Sequence, residues 1–148
     1  MRFLDKILGS KPAYPPLPAD NEAMVQLDEV KAPLEEFAHK VSDRLEVVPA
    51  AHEAFVFLGK PPESFGVAWI HDGKVASLND IAKEHHLSQV QVGELVARLG
   101  QAYQHASESP RYSAEVGGKQ MVVIPSKGLE QEVHQIMANT MNGSEPTM

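Results

Sequence analysis

The residues with the chemistry to act on a ligand are seven histidines and twenty carboxylates in a chain of 148 residues. Metal binding needs several of them to converge at ligand spacing. His85 and His86 are adjacent, so on a helix their rings diverge, whereas Asp80 and Glu84 stand four apart and share a helical face. No second set of ligands recurs at a matching interval, and a solvated surface is the better account of these side chains. Acid–base catalysis meets the same objection, since no spacing pairs two carboxylates in one site. With no cysteine there is no thiolate nucleophile, zinc–thiolate site or disulfide framework. Phosphate loops, dinucleotide fingerprints, HExxH and nucleophile elbows are also missing from the sequence. The expectation is a non-enzymatic protein with no cofactor and no metal.

The elements that would position any site centre on Leu78–Leu99. Leu78, Ile81 and Ala82 make the inner face of a first helix. Ser88 is placed to cap a second helix with its hydroxyl. Along that helix Val92, Leu95, Val96 and Leu99 recur at helical spacing. The order Ile81-Ala82, Leu87-Ser88, Val92, Leu95 resembles the helix-turn-helix pattern. His86 stands where that turn commonly has glycine, and histidine tolerates the left-handed backbone expected there. After the second helix, Tyr112–Val116 and Lys119–Ile124 flank Gly117-Gly118, a hairpin signal. A hairpin directly after a helix-turn-helix is where the winged-helix superfamily carries its wing, so the resemblance covers residues 65–125. It implies an α+β fold with a winged-helix-like core, extended by N-terminal helices and a C-terminal helix.

Before that core, residues 1–20 read as an amphipathic start and a linker. Phe3, Leu4, Ile7 and Leu8 share one helical face. With only Arg2 and Lys6 as cations, contact with a membrane surface would be weak, and a helix docking on the chain's own domain or a frayed terminus is the preferred reading. Pro12, Pro15, Pro16 and Pro18 favour an extended, stiff spacer. A single domain is expected over residues 21–141. It opens with a helix carrying Ala23, Met24 and Leu27, then a second helix starting at Pro33 and running through Leu34, Phe37, Ala38, Val41 and Leu45 to end near Val48. Ala54–Leu58 and Phe65–His71 are apolar on both faces, which predicts strands covered on both sides. Asp72-Gly73 predicts a tight hairpin, and Trp69 is read as core. Leu129, Val133, Ile136, Met137 and Met141 line a last helix over residues 126–141, and residues 142–148 are expected to be a disordered tail. No apolar run approaches the ~20 residues of a membrane span, and cytoplasm is the expected compartment.

If the inner residues of the second helix face the core, Val90, Gly93 and Ala97 form an outward apolar stripe. That suits close packing against a protein partner, either a second copy or another chain, and equally cover by the chain's own N-terminal helices. The alternative is a DNA-binding regulator that reads with this helix, residues 88–104. Its contacts would be Ser88, Gln89, Gln91, Arg98, Arg111 and Lys119. Charge argues against it: the chain carries a net charge of −7, and residues 51–110 hold four Lys or Arg against seven Asp or Glu. Phosphate binding needs the opposite balance.

Overall fold

A computed structural model describes residues 14–61 and 63–142. The protein is mixed α+β. Helices α1 (Glu22–Glu29) and α2 (Lys31–Lys40) precede four strands, β1 (Leu45–Ala50), β2 (Glu53–Lys60), β3 (Ser64–His71) and β4 (Lys74–Ser77). Helices α3 (Leu78–Glu84) and α4 (Gln89–His105) follow, then strands β5 (Tyr112–Val116) and β6 (Lys119–Val123), and helix α5 (Lys127–Asn142). The strands form one sheet in the order β4-β3-β2-β1-β6-β5. Every neighbouring pair is antiparallel except β1 and β6, which run parallel with Glu46 opposite Val122 and Val47 opposite Val123.

Alternation along the strands divides the interior into two cores. Leu45, Val47, Ala54, Val56, Ala68, Ile70, Met121 and Val123 meet α1 and α2 through Ala23, Leu27, Leu34 and Ala38. The intervening Val48, Phe55, Phe57, Val67 and Val122 meet α3, α4 and α5 through Ile81, Leu95, Leu99, Leu129 and Val133. The sheet is therefore covered on both sides, as its doubly apolar strands require. Two turns follow directly from their residues. Asp72 and Gly73 have φ of 53° and 73°, and Gly117 and Gly118 have 60° and 81°. Two successive positive-φ residues are what a two-residue hairpin loop needs to match strand twist.

The second helix departs from its expected span. It starts at Lys31, so Pro33 is its third residue, where a missing N–H is still one of the unsatisfied first-turn donors. It stops at Lys40, and Leu45–Ala50, expected to carry its last turn, is strand β1, buried at every position. The helical spacing that reaches Leu45 is coincidental with strand alternation: Leu45 and Val47 face one core, Val48 the other. Pro49 is tolerated in this central strand because β6 does not extend beside it. The ladder to β6 ends at Val47, whose carbonyl accepts from the Ile124 N–H at 2.8 Å.

The proline-rich stretch is tied to the sheet. The Leu17 N–H donates to the Ser113 carbonyl at 2.9 Å, and the Ser113 N–H to the Pro15 carbonyl at 2.8 Å. Pro16 thus bridges Ser113 in parallel along the outer edge of β5, and Leu17 is buried with α1. Trp69 is half-buried against the α3–α5 core, stacked on Phe55 at 6.2 Å. Asn142 is the last residue of α5, and the amphipathic start at residues 1–9 and the tail at 143–148 lie outside the described residues. No described helix is long and apolar enough to cross a membrane.

Candidate functional site

Local capping sets up α3, the turn after it and α4. The Ser77 hydroxyl accepts from the Asp80 N–H at 3.1 Å, while the Asp80 carboxylate accepts from the Ser77 N–H at 2.9 Å. These bonds hold the Asp80 carboxyl below its ordinary range. Ser88 and Gln91 repeat the reciprocal arrangement at the start of α4, with bonds of 3.1 and 2.8 Å. Between the two caps, His86 has φ of 55°, the left-handed backbone the turn calls for. The Leu87 N–H closes the turn onto the Ala82 carbonyl at 2.9 Å. Ile81, Leu95 and Leu99 point inward and are buried, and Leu78 and Leu87 pack partly against the same core.

The outer face of α4 is uncovered among the described residues. Val90 is 71% exposed, and Gly93 and Ala97 are exposed beside it. No atom lies within 4 Å of a Cβ built at Gly93. Helices α1 and α2 lie across the sheet on the opposite face, so they do not shield this stripe. A glycine in mid-helix costs roughly 1 kcal/mol relative to alanine. What it supplies here is an open stretch of backbone that another surface can approach closely.

The residues expected to meet DNA are dispersed by the fold. Gln89 and Arg98 are exposed on α4. Ser88 and Gln91 spend their side chains on the cap. Arg111 is drawn inward, its side chain only 9% exposed. It donates to the Ala106 and Ser109 carbonyls, both at 3.1 Å, and lies over the Tyr103 ring at 5.3 Å. Lys119 donates to the Val41 carbonyl at 2.7 Å. The β5–β6 hairpin does not project as a free arm. Its strand β6 is internal to the sheet, and its tip is held to α2, where His39 Nε2 donates to the Gly117 carbonyl at 3.0 Å. Lys74, at the β3–β4 turn, belongs to the other end of the strand order from Lys119.

Two polar clusters appear that carry no linear signature. Glu46, 5% exposed in the centre of the sheet, accepts from the Tyr103 hydroxyl at 2.6 Å, with Arg111 Nε at 4.0 Å. Burial, reinforced by the Glu46 carboxylate, pushes the Tyr103 hydroxyl above its ordinary pKa. The partners are 57 residues apart in the chain, and each alone reads as an ordinary surface residue. This cluster fastens the end of α4 to β1. In the second, Glu53 accepts from Trp69 Nε1 at 2.9 Å and faces His134 Nδ1 at 3.5 Å, while His71 stacks on Trp69 at 3.8 Å. It joins α5 to the sheet. Asp80 and Glu84 are exposed, Asp80 serving its cap, and the described residues contain no group of three or more His, Asp or Glu able to hold a metal ion. Comparison with protein-family models, curated proteins and solved structures finds no match to this chain.

Proposed function

We propose that this chain is a non-enzymatic, cytoplasmic interaction module with a winged-helix-like core, and that the outer face of α4 takes a protein partner, either a second copy or another chain. The uncovered stripe of Val90, Gly93 and Ala97 carries this reading. A flat strip with a mid-helix glycine suits close approach of a partner helix or ridge, whereas a duplex would require cations. Around the stripe Arg98 is offset by Glu94, and Arg111 and Lys119 are turned toward carbonyl groups of the protein itself. The winged-helix reading draws its support from the α3–turn–α4 geometry and from the hairpin that follows it. This hairpin is built into the larger sheet through β6.

DNA binding is the second reading, favoured by one observation: α4 presents an open face beside an intact left-handed turn. Electrophoretic shift across a salt series separates the two. No retardation is expected at any salt. Retardation that collapses between about 50 and 200 mM salt would overturn the protein-partner reading. Sedimentation of the chain against Gly93→Arg tests the stripe directly. The open space at Gly93 admits the arginine without disturbing the fold, so any association through this face should be lost in the variant.

A further inference from the structure

We propose that the apolar groove between α1, the Tyr14–Pro18 stretch and the outer edge of β5 is a docking site for the chain's own first residues, filled by Phe3, Leu4, Ile7 and Leu8. The site is independent of α4 and lies toward the other face of the sheet.

The groove encloses about 340 Å³ and is walled by Leu17, Met24, Leu27 and Val116. Its wall is left partly bare at Met24, which is 37% exposed. The backbone beside it is also unsatisfied. Ser113 directs its N–H and carbonyl away from β6 into the bonds with Leu17 and Pro15. By the period of two along a strand, Glu115 directs its own pair the same way. Among the described residues no backbone group meets them. An apolar hollow flanked by an open strand edge accepts a short apolar segment.

Three features select the occupant. Thirteen residues precede Tyr14, which lies two residues before Pro16, the residue bridged to Ser113 at the groove. Residues 9–13 span up to ~17 Å when extended, enough to double back over the ~13 Å separating the levels of Tyr14 and Glu115. Gly9 and Pro12 fall within that span, and both are residue types that turns favour. The charges also match. The lining carries Asp28 and Glu115 against Lys31, which Glu35 partly engages at 4.0 Å. The first nine residues carry Arg2 and Lys6 against Asp5.

The absence of cysteine allows a clean test on the full chain. Leu4→Cys paired with Met24→Cys should oxidise to an intramolecular disulfide. Tethering alone gives both this pair and the control pair Leu4→Cys with Val90→Cys an effective concentration in the millimolar range, so docking should make the first pair faster by about tenfold or more. Equal rates would overturn the proposal. So would a predominantly intermolecular disulfide, which would assign the groove to a second copy. A cysteine-free measurement guards against bias from the crosslink. In methyl-labelled protein the Met24 resonance should move, and the Glu115 amide exchange faster, when Phe3→Asp and Ile7→Asp are introduced. An unchanged Met24 resonance and Glu115 exchange rate would show that the groove is empty and refute the docking.

Discussion

Replacing Tyr103 by phenylalanine removes one oxygen and leaves the ring packed against Phe57 at 5.3 Å and beneath Arg111. The lost oxygen is the donor to Glu46, a carboxyl in the middle strand of the sheet that is 5% exposed. A hydrogen bond to a charged group contributes ~1.5–3 kcal/mol. Arg111 remains beside Glu46 after the substitution, with Nε at 4.0 Å, and Tyr103 is itself partly exposed. Both facts place the loss toward the lower end, about 1.5 kcal/mol. At ~2–4 °C per kcal/mol for a chain of this size, Tm should fall by roughly 3–6 °C. Urea unfolding monitored at several pH values provides the assay. Because the pKa of Tyr103 is raised on folding, its contribution is complete below the unfolded tyrosine value of 10.0 and declines as pH rises from there through the folded value. The parent should therefore lose stability in alkali more steeply than Tyr103→Phe, and the two curves should converge. A variant as stable as the parent at neutral pH, or one with an unchanged alkaline slope, would refute the view that this hydroxyl anchors α4 to the sheet.

Gly93→Ala should stabilise the fold by about 0.8–1 kcal/mol in urea unfolding, since the helix gains a better former and the added methyl meets no neighbour. Gly117→Ala should destabilise by about 1 kcal/mol or more, because φ is 60° there and the new methyl would lie 2.9 Å from Glu35 Cγ. Ser88→Ala removes the hydroxyl that caps α4 and should cost about 1 kcal/mol, read as a lower thermal midpoint. The Asp80 carboxyl is held low by Ser77, so its contribution is present above the ordinary carboxylate range and fades as pH falls through the folded value. Ser77→Ala should accordingly flatten the acid limb of the stability profile.

The features that could be read in advance were those settled by neighbours in the chain. Asp72-Gly73 and Gly117-Gly118 dictate their turns because few other pairs adopt two positive φ angles. Ser88 dictates the start of α4 through its reach to the backbone three positions on. Strand β1 was hidden because Leu34, Phe37, Ala38 and Val41 set a helical rhythm that Leu45 happens to continue. Its pairing with β2 and β6, made at a distance, prevails over that rhythm. Leu17 gave no sign of being core, since prolines flank it and its partners lie on α1 and beside β5. The stripe of Val90, Gly93 and Ala97 was legible as a helical face, but its exposure was not, because that depends on which side of the sheet α1 and α2 occupy. The inward turn of Arg111 rests on Tyr103, Ala106 and Glu46, which only the folded chain assembles.

The parallel pairing of β1 with β6 bears on how the chain reaches this state. Strands β1 to β4 form an antiparallel meander of local contacts, and β5 and β6 form a second local unit. The two halves join only where β1 meets β6, and more than 70 residues separate Glu46 from Val122. Between β4 at one edge and β5 at the other, the chain crosses a full face of the sheet as α3 and α4. The α3–turn–α4 segment is thus the bridge of the topology. The seam has the greatest sequence separation of any strand pair, so its closure carries the largest loop-closure cost, and α3 and α4 lie within the loop it closes.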